Sequence, residues 1–166
     1  DIWEAADAIS MMRATGCDGV VIGRGCLGRP WLFRDLVEAL NGRPVPASPL
    51  LGEACVVMAR HARLLADHLG ENLAMRDFRK HTSWYLTGYP VGGETRRRFA
   101  NISTLDELYD LIASVDPAIA LVPGGERIRR GHTNGPIRVA LPDGYLDHLD
   151  DVTVPDDSHV MALSGG

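Results

Sequence analysis

The sequence predicts a mostly α chain in three parts: a short βα unit of the kind that closes an alternating α/β fold, an all-α helical bundle, and an irregular acidic tail. Three observations predict it. A β-branched run, Val20-Val21-Ile22, lies between two helical patterns and leads into Gly23-Arg24-Gly25. A proline-rich stretch over 41–50 separates that unit from residues whose apolar spacing is wholly helical. Past Pro123 the periodicity fades, and residues 143–166 hold six carboxylates and neither lysine nor arginine.

Residues 3–15 place Ala5, Ile9 and Met12 at i, i+4 and i+7, one apolar face, and Gly16 suits the left-handed stop that follows a helix. Val20-Val21-Ile22, preceded by Asp18-Gly19 and followed by Gly23, is expected as a buried strand of the parallel type, apolar on both faces. Pro30 fits the first turn of a helix over 30–40 that carries Trp31, Leu32, Leu36, Val37 and Leu40. Residues 41–50 are an extended linker. A helical domain is expected over 51–122, with helices at 51–69, 72–87, 92–100 and 104–114. Gly88 and Tyr89-Pro90 end the second of these, and Thr104 with Glu107 makes a capping box for the last. Residues 123–166 hold Gly124-Gly125, Asn134-Gly135-Pro136 and Pro142-Asp143-Gly144, and are expected to be irregular or disordered.

Composition narrows the function classes. The chain has 166 residues, 45% of them apolar, which is enough for a packed core. With 17 basic and 22 acidic side chains it carries a formal charge of −5, so it is not a globally basic nucleic-acid binder. The middle differs: residues 51–100 hold eight cations against five carboxylates. No apolar run approaches the ~20 residues a bilayer requires. The chain opens on Asp1 without a charged n-region or an apolar h-region, so a fragment or processed product is expected, not a secretory precursor. Three cysteines, Cys17, Cys26 and Cys55, form no CxxC and no even framework, which points to a reducing, cytoplasmic setting.

The turn Gly23-Arg24-Gly25 is the first candidate site. A turn between a strand and a helix start aims backbone amides outward, the helix dipole adds partial positive charge, and glycines let an anion come close. In β/α barrels the loops after the seventh and eighth strands hold phosphates this way. From spacing alone, an ordinary βα turn is the alternative reading.

Val21-Ile22-Gly23-Arg24-Gly25 followed by Gly28-Arg29-Pro30-Trp31-Leu32-Phe33 resembles the end of the barrel in tRNA-dihydrouridine synthases. So does Asp1 followed by a helix and Thr15-Gly16-Cys17-Asp18-Gly19. Arg79-Lys80-His81, Trp84-Tyr85-Leu86 and Gly88 resemble the start of that family's C-terminal helical domain. The resemblance covers residues 1–115. It implies that residues 1–40 are the C-terminal βα piece of a TIM (β/α)8 barrel and that residues 51–122 bind tRNA. It implies FMN at the barrel mouth, with Asp1, Gly23 and Arg24 as cofactor contacts, and NADPH as the reductant. In the family a hydride passes from FMN to the uracil ring, giving 5,6-dihydrouridine, while a cysteine acid from an earlier loop protonates the neighbouring carbon. None of the cysteines here fits that role, so no catalytic residue is assigned and the segment is expected to be inactive alone.

The second candidate site is a helix face. Arg76, Arg79, Lys80 and Ser83 fall at i, i+3, i+4 and i+7, while Ala74, Phe78, His81 and Tyr85 share another face. Such a helix can dock by its aromatics and present cations to RNA phosphates. Arg96, Arg97 and Arg98 could extend the patch. A solvated face is the plain alternative from charge alone, and the resemblance favours RNA. Cys17 and Cys55 read as packing residues, and Cys26 as a residue facing the cofactor site. His81, Trp84 and Tyr85 read as core of the helical domain, with Trp3 and Trp31 packed on barrel helices. His61 and His68 are two turns apart, too far for one ion, and no metal site is assigned. Asp150-Asp151 and Asp156-Asp157 read as solvated tail, and no protein partner or membrane contact is expected. Two other functions fit less of the chain: a non-catalytic RNA-binding helical module, and the end of another FMN barrel oxidoreductase. The latter gives no reason for Arg79-Lys80-His81.

Overall fold

In a computed structural model of the chain, the described residues are 1–131 together with 147, 150 and 152. The expected tail beyond Gly131, with its acidic pairs, lies outside them. Six α-helices occupy the described residues: α1 (Ala5–Thr15), α2 (Leu32–Leu40), α3 (Leu51–Leu69), α4 (Glu71–Leu86), α5 (Gly93–Phe99) and α6 (Leu105–Ser114). Each begins and ends within two residues of the helical pattern in the sequence. Gly16 closes α1 with φ of 72°, its amide donating to Met12 O at 2.9 Å. Thr104 caps α6 by accepting from Glu107 N at 3.1 Å, and the Glu107 carboxylate accepts in return from Ser103 N at 2.6 Å, one residue before the cap.

The centre is the α3–α4 hairpin, whose helices are joined by Gly70 alone. α3 buries Leu51, Ala54, Cys55, Met58, Ala62 and Ala66, a stripe whose small members let α4 approach. α4 answers with Ala74, Met75, Phe78, Thr82, Tyr85 and Leu86. Phe99, Ile102, Leu105, Leu108 and Leu111 complete this core. A second, smaller cluster joins Ile2, Ala5 and Ala8 to Leu32 and Leu36, where α1 packs on α2.

Two sequence expectations fail here. Val20-Val21-Ile22 is not a strand; no strand exists among the described residues, and Val21 is 94% exposed. A strand needs a hydrogen-bonded neighbour, and the described residues supply none. Trp31 does not pack on α1; it is buried in the α3–α4 core. One smaller difference accompanies them. Cys17 is exposed and so packs nothing, whereas Cys55 is buried as expected and burial pushes its thiol up to about 11.

What joins the two clusters is a glycine and two buried arginines. Gly28 has φ of 64°, and a Cβ there would lie 2.3 Å from Trp84 C, so the turn rests directly on the backbone of α4. Arg29 is 2% exposed and its Nη1 donates to Trp3 O at 2.9 Å and Glu126 O at 3.0 Å. Arg130, also 2% exposed, donates to Thr87 O, Gly125 O, Glu126 O and Ile128 O at 3.0–3.2 Å. Burial, reinforced by the neighbouring Arg29 charge, pushes Arg130 down to about 10. Arg127 pairs with Glu4 and, at 2.9 Å, with Asp7 of α1. Residues 123–131, irregular apart from the 3-10 turn Gly125–Arg127, are thus held in place by Arg127 and Arg130.

Gly28→Ala is expected to lower unfolding free energy by about 2–4 kcal/mol, because both the clash and the positive φ oppose a side chain. Gly19→Ala, with open space around the built Cβ, should shift it little. Arg130→Met should cost about 3 kcal/mol by stranding buried carbonyls. Urea unfolding of the three variants measures all of this.

Candidate functional site

The Gly-Arg turn is a single 3-10 turn, Arg24–Cys26, entered through Gly23. Its position follows from Gly25: a Cβ there would sit 1.8 Å from Ile2 O, so only glycine lets the turn lie against the start of the chain. That contact brings Asp1 to Arg24, whose Nη2 donates to Asp1 Oδ2 at 2.6 Å. Both side chains remain about a third exposed. The space above Gly23 is open, and the first amides of a helical turn have no intrahelical acceptor. Asp1 engages only Nη2, so the rest of the Arg24 fork is available to an anion. The three residues singled out in the sequence therefore do lie together, and the N–H groups of Gly23 and Arg24, not the Asp1 carboxylate, are the donors that suit a phosphate.

The six cations singled out for RNA divide into two groups. Arg79 Nε donates to Ile102 O at 2.8 Å and its Nη2 to Ser103 Oγ at 3.3 Å, tying α4 to the α5–α6 turn. Arg96, half-buried, donates to Tyr89 O, and burial lowers its pKa. These two guanidiniums hold the fold. Arg76, Lys80, Arg97 and Arg98 are exposed. Lys80 pairs with Asp77 at 2.5 Å and Arg97 with Glu94 at 2.6 Å, contacts that solvent weakens. Arg76 and Arg79 border a shallow depression with Ser103, and Arg98 borders the next one with Asn101.

A third feature escaped the sequence. Between the Gly-Arg turn and the α3–α4 hairpin lies a cleft of about 490 Å³. One wall is a cluster of rings: His61 meets Phe78, His81 and Tyr85 edge-on with centroids 5.0, 4.8 and 6.0 Å apart. His61 Nδ1 and Tyr85 Oη are 3.2 Å apart, a hydrogen bond. Cys26 reaches the same cleft with its Sγ donating to Gly23 O. His61 and Tyr85 lie 24 residues apart on different helices, so no spacing rule could pair them. His81, read as core, is half-buried at the cleft edge. Among the described residues, no group of three His, Cys, Asp or Glu side chains is placed to hold a metal, and no helix is long and apolar enough to cross a membrane.

The Gly-Arg turn is thus joined through the Gly28 contact to a helical hairpin that carries exposed cations. Comparison with known proteins gives the family. The dihydrouridine synthase (Dus) family model matches residues 1–120. A protein named probable tRNA-dihydrouridine synthase from Mycobacterium leprae is 52% identical over 165 residues, covering 99% of this chain and 43% of the relative. One of the same name from Mycobacterium tuberculosis is 51% identical, over 99% of this chain and 42% of the relative. The tRNA-dihydrouridine synthase B of Pseudomonas putida is 39% identical over 100 residues, 60% of this chain and 29% of that protein. The chain belongs to the dihydrouridine synthase family, and spans less than half the length of these relatives.

The ring cluster sets a pH dependence. Burial, then the neighbouring His61 and Lys80, push His81 down to about 4 against the opposing pull of Asp77. Burial lowers His61 as well. A free imidazole titrates near ~6.5, so the neutral rings contribute fully above that pH and progressively less as pH falls toward 4. Thermal unfolding at pH 7.5 and at pH 5 should therefore show a drop in midpoint on acidification. His81→Leu should shrink that drop.

Proposed function

We propose that this chain is the cofactor-phosphate and RNA-handling portion of an FMN-dependent tRNA-dihydrouridine synthase, which reduces uridine in tRNA to 5,6-dihydrouridine with NADPH as reductant. The observation that carries the reading is the Asp1–Arg24 pair beside the open face of Gly23, within residues 1–120 that the family model matches. When bound, the flavin supplies hydride transfer to the uracil ring. The Gly23 and Arg24 amides and the free arm of the Arg24 guanidinium bind the flavin phosphate, and Asp1 orients that guanidinium. Residues 1–40 are the closing piece of the TIM barrel in this reading. The relatives' names, which specify tRNA, support the substrate. The cysteine acid belongs to an earlier part of the barrel, so the 166-residue chain alone is inactive. The protein works in the cytoplasm, where tRNA is.

On the helical domain, Arg76, Lys80, Arg97 and Arg98 meet tRNA phosphates. Arg79 and Arg96 serve RNA mainly by holding α4, α5 and the Tyr89 turn in place.

Two measurements test the reading in a protein extended to the relatives' full length. Arg24→Ala should reduce copurifying flavin while leaving the helical fold intact by circular dichroism; unchanged flavin content would remove the cradle. Arg76→Ala with Arg98→Ala should weaken tRNA binding and flatten its salt dependence by roughly 0.7–0.9 in log–log slope per lost phosphate contact. An unchanged slope would assign these cations to solvent.

A further inference from the structure

We propose that the cleft between the Gly-Arg turn and the α3–α4 hairpin is a pocket for one unstacked nucleotide of the RNA, its base against the His61–Tyr85 wall and its phosphate toward Arg60. This rests on the tRNA reading above and adds a second nucleotide position beside the flavin turn.

Four observations carry it. The volume, about 490 Å³, falls in the ~300–1,000 Å³ range of small-ligand sites. The walls pair apolar surface from Leu27, Pro30 and Leu64 with a rigid ring cluster, the combination on which unpaired bases stack. The polar groups suit a base more than an anion. His61 and His81 are held neutral by burial, so each ring offers one donor and one acceptor, and the His61–Tyr85 hydrogen bond at 3.2 Å fixes one of them. Charge sits at the rim, where Arg60 is exposed. Cys26, at the cleft floor, belongs to the same three-residue turn as Arg24.

The test titrates the chain with uridine 5′-monophosphate, inorganic phosphate, NADPH and an unmodified tRNA transcript, reading the imidazole resonances of His61 and His81 by NMR. The expected result is that the uridine nucleotide and the tRNA move both resonances and inorganic phosphate moves neither. Leu64→Trp, a change at a position 58% exposed, should fill the cleft mouth and weaken the nucleotide ~10-fold or more, the scale of one lost stacking contact. Movement by phosphate alone to the same extent would reduce the cleft to an anion patch. Movement by NADPH but not by the uridine nucleotide would give it to the reductant. Either result overturns the proposal. If tRNA binds with steep salt dependence while both histidines stay unmoved, the pocket fails and the RNA reading stands. If the chain binds no tRNA, both fail.

Discussion

The arrangement of this protein depends on a place where backbone touches backbone. At Gly28 the absence of a side chain lets the turn before α2 rest on the last turn of α4. Contact that close leaves several carbonyls, including those of Trp84 and Thr87, with no room for water. Arg130 donates to Thr87 O and, together with Arg29, to the Glu126 carbonyl, which accepts from both. A guanidinium suits the task because its planar fork can serve several acceptors at once. Two buried like charges side by side are costly. They are tolerated because so many carbonyl dipoles surround them and Glu126 brings a carboxylate whose charge favours both.

The same economy governs the surface. Among the cations singled out for RNA, hydrogen bonds to the backbone separate struts from side chains that face solvent. Arg79 and Arg96 end on backbone carbonyls and brace the helical domain. Arg76 and Arg98 stand in solvent beside shallow depressions. The Gly-Arg turn follows the opposite logic, with a cation kept near solvent and only half satisfied by Asp1.

The helices were legible because each keeps one apolar stripe at helical spacing: the buried positions of α3, Leu51 through Ala66, recur every three or four residues. Caps were legible for the same local reason, as at Thr104 and Gly16. The strand at 20–22 misled because a β-branched run states a preference that only a neighbouring strand can realise. Trp31 misled because burial in one core or the other depends on Gly28 docking, which no periodicity encodes. In the site, Asp1, Gly23 and Arg24 came from the family resemblance, and their proximity rests on Gly25, whose role is visible only once Ile2 is seen against it. The spacing that grouped Arg76, Arg79 and Lys80 was right about the helix face and silent about Ser103 and Ile102, which claim one of the three. The cleft at His61 was illegible because its walls come from three separate stretches of chain.

The clasp formed by residues 123–131 has a kinetic corollary. The α3–α4 hairpin, with one glycine between its helices, closes through local contacts and can form as soon as it leaves the ribosome. Residues 1–40 gain two of their anchors late: Glu126 for Arg29 and Arg127 for Asp7 lie 97 and 120 residues further along. Contacts of that separation close slowly and only after residues 123–131 have been made.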